Sequence, residues 1–364
     1  MSKKYRVALV GGAGTWGQHY LRAYVEHPEC EIVALVDRAV DRARAFADQF
    51  GVETVLADID ELFVLEVPDV VSAILPVGIA PNVVIACAEA GVKAVSCEKP
   101  IAPQLSIADE MVRVCREKGV PFGCGTAYWE VPHLIQTAEW VRQGNIGELT
   151  GAAIPGGLPV EVSGAGCVQL TMMRLLTGME VEWVEGWVLD PVGRYNNPDA
   201  TASHEIDRPA YGRLGLTGGI VCEIPAPGEE HISCRVSLTG TNGQVWANGP
   251  KPVIIQGIGA SSSPVQPPFF NEESGGPVFM MPVVDRLLRA IENGGEAPCS
   301  GHDYRQALEI AIALNLSAEQ GHKRIELPLK DRSYRILPHP YRLQGGDVAG
   351  WESIGYDGPP TPKD

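Results

Sequence analysis

The chain has 364 residues, 45% hydrophobic and 20% charged, enough apolar content for two ordinary cores and too much for general disorder. Its 45 acidic against 29 basic side chains leave a formal charge of −16, which repels nucleic-acid phosphates and anionic lipid surfaces, while a local arginine or helix N-terminus can still hold a small anion. No apolar run approaches the ~18 residues of a membrane helix and the opening MSKKYRVALVGG lacks a signal-peptide pattern, so a cytoplasmic protein with neither membrane nor nucleic-acid partner is expected.

Tyr5 to Val10 is a β-branched apolar run that feeds into Gly11-Gly12-Ala13-Gly14-Thr15-Trp16-Gly17 and then a helical pattern through Tyr20, Leu21 and Tyr24. Gly12, Gly14 and Gly17 fit GxGxxG. In that pattern the first glycine makes the tight turn, the second admits a pyrophosphate and the third lets helix and strand pack. A second strand, Glu31 to Val36, ends in Asp37, 20 residues beyond Gly17, where an acid meets ribose hydroxyls and repels a 2′-phosphate. NAD is therefore expected in preference to NADP, although Arg38 beside Asp37 could stack on adenine or tolerate that phosphate. Gly12, Gly14, Thr15, Trp16, Gly17, Asp37 and Arg38 form the first part of the expected cofactor site.

The alternation continues with a strand over Val52 to Val55, a helix over Ile59 to Phe63 and a strand over Val70 to Leu75. A helix over Asn82 to Ala90 follows, then a strand over Val92 to Cys97 that ends in Glu98-Lys99-Pro100. Strands and helices at this spacing predict a doubly wound parallel sheet of Rossmann type, whose ligands sit at the carboxyl ends of the strands. Leu75, Pro76, Glu98 and Lys99 fall at that edge and complete the expected cofactor site. The nine cysteines are scattered, odd in number and never form CxxC, which reads as reduced packing residues with no metal role; Cys167 has nothing adjacent to lower its pKa.

With Glu98-Lys99-Pro100 the chain resembles the family of glucose-fructose oxidoreductase, inositol dehydrogenase and rhizopine catabolism proteins. The likeness extends through His133 to Gln143 with Gly144-Asn145-Ile146-Gly147-Glu148, Leu238-Thr239-Gly240-Thr241-Asn242-Gly243, Ala290-Ile291-Glu292-Asn293-Gly294, and the helix Ala307 to Ala318 before Ile325-Glu326-Leu327-Pro328-Leu329. The resemblance implies a C-terminal α/β domain with a large, mostly antiparallel open sheet, a sugar-like small-molecule substrate, and assembly into a homo-oligomer, a dimer or tetramer. Short strands over Val181 to Leu189, Ala210 to Leu216, Gly219 to Ile224, Ile232 to Leu238 and Gln244 to Ala247, with a hairpin turn at Thr217-Gly218-Gly219, agree with it. The expected division is residues 1–125 for the dinucleotide domain, 126–329 for the substrate and oligomerisation domain, and 330–364 for a tail.

In such a family Lys99 would reach the substrate oxygen and relay a proton or stabilise an oxyanion. The chain departs from the family where a pocket helix usually carries an aspartate and, four residues on, a histidine: counting back from Leu175-Leu176-Thr177-Gly178 puts those positions at Gly164 and Val168. Tyr128 and Trp129 stand where arginine and phenylalanine are common, and Ala80-Pro81-Asn82 lacks a frequent histidine. Replacement acids and bases are sought among Tyr128, Glu130, His133, His204, Glu205, Asp207 and Tyr211, with Tyr128 and His133 joining Lys99 as candidate catalytic residues. His133, near a helix start, equally suits capping or exposure. Lys99, Tyr128, Gln169, Arg174 and His204 are the candidate substrate contacts, with solvent the alternative for Arg174. His204 lies in a polar loop, Asn196 to Tyr211, that either folds over a pocket or is solvated.

The readings left open are an NAD-dependent oxidoreductase of sugars or cyclitols, an NAD-recycling glycosidase or lyase without net redox, reduction of imines or other non-sugar substrates, and a non-catalytic dinucleotide sensor. The tail, with Tyr334, His339, Tyr341, Trp351 and Tyr356, is expected to lie across a neighbouring subunit or cover a pocket, and Pro359 to Pro362 to be disordered.

Overall fold

The computed structural model describes residues 4–125, 133–191, 193, 195, 197–228, 234–248, 251–271 and 280–362. The chain divides into two compact units, one of residues 1–127, 275–302 and 340–364, the other of residues 128–274 and 303–339. This differs from the sequential division expected at 125 and 329, because the last 25 residues and the helix Met281–Asn293 pack with the first unit.

The first unit is built on strands β1 (Tyr5–Val10), β2 (Cys30–Val36), β3 (Val55–Leu56), β4 (Val70–Ala73), β5 (Ala94–Cys97) and β6 (Phe122–Cys124), all parallel, in the order β3-β2-β1-β4-β5-β6. Helices α1 (Gly17–Glu26), α2 (Val40–Phe50), α3 (Ile59–Leu65), α4 (Ala80–Ala90) and α5 (Leu105–Lys118) supply the crossovers. Strand order reverses between β1 and β4, and at such a switch point the loops part and open a crevice at the carboxyl edge. The central strands are apolar on both faces, with Val7, Ala8, Leu9, Val70, Val71, Ala94 and Val95 fully buried, as helices on both sides require.

Two polar links tie α1 to this otherwise apolar sheet. The Tyr20 hydroxyl donates to Glu98 Oε1 at 2.6 Å, and the Tyr24 hydroxyl lies 2.9 Å from Ser72 Oγ, itself 2.8 Å from Ser96 Oγ. Burial, and then the neighbouring carboxylate, push the Tyr20 hydroxyl far above its ordinary pKa, so it stays a donor. A residue with a side chain could not replace Gly125, since a Cβ there would lie 2.0 Å from Glu98 Oε1 and 2.1 Å from the Tyr20 hydroxyl.

The second unit holds α6 (Leu134–Arg142), β7 (Leu149–Ala153), α7 (Cys167–Thr177) and the strands β8 (Val181–Val188), β9 (Ala210–Leu216), β10 (Ile220–Ile224), β11 (Val236–Gly240), β12 (Gly243–Ala247), β13 (Val253–Gln256), β14 (Ser263–Pro264) and β15 (Ile325–Glu326). They form a nine-stranded sheet in the order β14-β13-β12-β11-β7-β10-β9-β8-β15, antiparallel except where β10 runs beside β7. The hairpin between β9 and β10 turns on Gly218 and Gly219, both at positive φ (84° and 78°). Helix α7 is buried nearly all round, which explains why its sequence is apolar without a clear polar face. Among the described residues, no helix is long and apolar enough to cross a membrane. All nine cysteines are buried and unbridged.

Candidate functional site

At the carboxyl edge of the parallel sheet, a cavity of about 320 Å³ opens beside the turn between β1 and α1. Gly14, Thr15, Trp16, Asp37, Arg38, Leu75, Pro76, Glu98 and Lys99 all line it, so nine of the residues expected at a cofactor site are brought to one place. Each gets there for a local reason: β1 delivers the glycine turn, β2 ends in Asp37, β4 runs into Leu75-Pro76 and β5 into Glu98-Lys99.

The glycine roles are redistributed relative to the sequence reading. The tight turn falls on Gly11, at φ 81°, where a Cβ would lie 2.2 Å from the Ile74 carbonyl oxygen. Gly12 instead makes room for Leu35, whose Cδ1 would stand 2.3 Å from a Cβ, and a Cβ on Gly17 would meet the Gly12 carbonyl oxygen at 2.1 Å. Neither lines the cavity; both let α1 press on the strands. Gly14 faces open space, with the Gly11 oxygen at 3.5 Å the nearest atom to a Cβ. The N-cap of α1, Trp16, makes no side-chain cap, which leaves first-turn N–H groups for an anion. Asp37 accepts from the backbone N–H of Ala13 (3.2 Å) and of Ala39 (2.9 Å); a carboxylate has further lone pairs for ribose hydroxyls. These features fit a dinucleotide: an open approach at Gly14, an anion site on α1, and an acceptor at the end of β2. Lys99 is half-buried, with Nζ 5.8 Å from the centre of the Trp16 ring.

The sequence reading did not place the far wall of this cavity, which is the tail. Tyr341, Arg342, Gln344 to Val348 and Trp351 line it. The tail is stitched on by Val77 N–H to the Arg342 carbonyl (2.8 Å), Gly78 N–H to the Leu343 carbonyl (3.1 Å), and the Tyr341 hydroxyl 3.2 Å from Thr15 Oγ1. Arg42 of α2 donates to both oxygens of Asp347, at 3.0 and 2.6 Å, and to the Ala13 carbonyl at 3.1 Å. Tyr341, Trp351 and Tyr356 form a three-ring cluster with centroids 5.8 to 6.4 Å apart. Of the two placements expected for the tail, covering a pocket is the one seen. The signal was present in its aromatics, but their target was not.

The candidates of the second unit meet different fates. Tyr128 and Glu130 lie outside the described residues. His133 is neither exposed nor a side-chain cap: it sits at φ 63° before α6, 4% exposed, with its ring 6.1 Å from Phe269 and 5.5 Å from Phe270. Arg174 faces neither solvent nor an open pocket. It is buried and bonded to Asp303 (3.0 Å), both oxygens of Glu180 (2.8 and 2.9 Å) and Gln306. His204 is held by Glu319 at 2.8 Å, with its ring against Tyr334. Gln169 is 7% exposed, and its amide oxygen has no hydrogen-bond partner among the described residues.

In the polar loop around His204, exposed positions such as Asp199, Thr201 and Ser203 alternate with buried, hydrogen-bonded ones. Glu205 is bound by Arg335 and by Thr201, and the arginine holds its carboxyl down at about 2. Asp207, fully buried, accepts from Val162 N–H (2.8 Å), Ser163 N–H (3.0 Å) and the Ser163 hydroxyl. It therefore caps the turn Val162–Gly166 that leads into α7, the turn that contains Gly164. Desolvation raises its pKa to about 6 against the pull of those donors.

Residues 5–126 match the family model described as oxidoreductase family, NAD-binding Rossmann fold. The D-apiose dehydrogenase of Paraburkholderia graminis is 32% identical over 145 residues, 40% of this chain and only 38% of that protein. An uncharacterised oxidoreductase of Bacillus subtilis, YrbE, is 26% identical over 343 residues, 88% of this chain and 96% of that protein. A levoglucosan dehydrogenase solved with NADH and levoglucosan shares the fold, with a TM-score of 0.72 at 18% identity over 90% of this chain and all of that one.

Proposed function

We propose that this chain, whose residues 5–126 match the oxidoreductase family with an NAD-binding Rossmann fold, moves hydride between NAD and an oxygen-bearing carbon of a sugar, cyclitol or related polyol. One observation carries the reading: a single cavity at the switch point has Asp37 and Lys99 both in its wall. Gly14, the N-terminus of α1 and Asp37 would hold the dinucleotide, and bound NAD supplies the hydride acceptor or donor. D-apiose dehydrogenase and levoglucosan dehydrogenase, both named for sugar substrates, support the substrate class.

Lys99 is the catalytic residue of this proposal. Its ammonium stabilises negative charge developing on the substrate oxygen and holds the proton that oxygen gains or loses. Gly164 and Val168 supply no proton, so Lys99 works without the carboxylate and imidazole that the family pattern places on the pocket helix. Tyr128, as proton carrier, and Gln169 are proposed from the sequence alone as further contacts to substrate.

The test is a panel of polyols and sugars with NAD, followed by NADH absorbance, with Lys99→Met beside the wild type. Turnover of at least one polyol, lost by about 10²–10⁴-fold in the variant at an NAD affinity changed less than threefold, is the expected result. A variant that turns over like wild type, or a wild type that binds no dinucleotide, refutes it.

The tail wall favours one refinement, in which NAD stays bound and is re-reduced or re-oxidised within each turnover, as in a redox-assisted glycosidase or lyase. Dinucleotide content of the purified, denatured protein separates the two: near-equimolar NAD supports retention, and an empty, reversibly loaded site supports ordinary dehydrogenation.

A further inference from the structure

Two arginines stand near Asp37, and the tail occupies one of them. Arg38 and Arg42 both line the cavity, as do the carboxylates Asp37, Asp58 and Asp347. Arg42 is aimed by three groups at once: its Nε–H donates to the Ala13 carbonyl in the glycine turn, its two terminal nitrogens grip Asp347 end-on, and its guanidinium lies over the Trp351 ring at 5.5 Å. Asp347 is fixed in turn by the Trp351 indole N–H, which donates to Oδ1 at 3.1 Å. The Arg42 side chain is 17% exposed, so this is a seated guanidinium and not a solvated one.

A forked guanidinium beside the ribose site is what a 2′-phosphate needs, against the repulsion of the ribose-binding carboxylate. With Asp347 in place both terminal nitrogens of Arg42 are occupied; without it they are unspent and the cavity wall carries one negative charge fewer. The geometry points to Asp347 as a cofactor-specificity residue: by occupying Arg42 in a bidentate pair it denies NADP its phosphate partner, so the choice of NAD is made jointly by Asp37 at the end of β2 and by a residue 310 positions later in the tail. This rests on the reading of the cavity as a dinucleotide site.

The experiment measures NAD and NADP dissociation constants by tryptophan quenching and calorimetry for the wild type, Asp347→Ala, Asp347→Asn, and Arg42→Ala/Asp347→Ala. The expected result is a wild type that prefers NAD and single Asp347 variants whose NADP-to-NAD ratio of dissociation constants falls about tenfold. The double variant should lose that gain, because the freed guanidinium is gone. A ratio within twofold of wild type in both single variants, loss of all dinucleotide binding in them, or a gain that survives in the double variant would overturn the assignment. A wild type that binds neither dinucleotide would instead sink the functional reading on which it rests.

Discussion

Replacing Gly125 by alanine should damage the first unit far more than a methyl group ordinarily would. The new Cβ would stand 2.0 Å from Glu98 Oε1 and 2.1 Å from the Tyr20 hydroxyl, inside the 2.6 Å bond between them. Losing a buried hydrogen bond to a carboxylate costs about 1.5–3 kcal/mol, and overpacking adds about 1–3, for a total of about 2.5–6 kcal/mol. In a unit of this size that is a fall of about 10 °C in melting temperature. Tyr20→Phe should cost about 1.5–3 kcal/mol alone, yet it removes one of the two oxygens that the alanine strikes and unties the other, Glu98 Oε1, so that it can turn away. The double variant should then be no less stable than Tyr20→Phe by more than about 1 kcal/mol, a coupling that urea unfolding of all four proteins would read directly. Strict additivity, or a Gly125→Ala protein that melts with the wild type, would refute the reasoning.

Arg174→Met should lower stability by about 2–3 kcal/mol in urea unfolding, because it strands Glu180, Asp303 and Gln306 around a vacated charge; a substrate KM that rises with stability unchanged would restore Arg174 as a substrate contact. Glu205, held at about 2 by Arg335, is ionised more readily in the folded than the unfolded protein, so its stabilisation is present above about pH 4.5 and is lost as pH falls toward 2. Glu205→Gln should flatten thermal stability over that window, by about 1–2 kcal/mol after allowance for the partly exposed arginine, and an unchanged pH profile would contradict it. Trp351→Ala, which removes the centre of the tail's ring cluster, should speed NAD release in stopped-flow by about tenfold or more, since a fully buried aromatic contributes a few kcal/mol; release at the wild-type rate would show that the tail does not hold the cofactor.

The parallel sheet and most of its ligand edge were legible in the sequence because their signals are short-range. A glycine turn, an acid 20 residues on and a lysine at a strand end each report their own backbone, and order 3-2-1-4-5-6 then gathers them. The assignment of the tight turn to Gly12 failed by one residue because the motif spacing says which glycines are needed, not which one takes positive φ. β7 went unseen since LTGAA has neither alternation nor bulk; pairing with β11 and β10 makes it a strand. His204, Asp207 and Arg174 were singled out for carrying protons and charge, and the structure uses each to close a hydrogen-bonding need: a hydrogen bond with Glu319, the donors of the turn before α7, and the carboxylates Glu180 and Asp303. Composition identifies such groups without telling which polar partners burial has assigned to them. Arg42 and Asp347 were invisible for the plainer reason that nothing local links them.

That the tail finishes a site begun by the first strand has a consequence for how the protein comes to be made. Residues 5–125 leave the ribosome before the tail and contain the glycine turn and the sheet, but the wall made by Tyr341, Asp347 and Trp351 is synthesised more than 200 residues later. During elongation, the nascent chain presents a crevice without its wall, and a complete one exists only once the chain has been made through Trp351. A fragment ending near residue 125 would lack that closing wall, and with it residues 275–302 of the same unit.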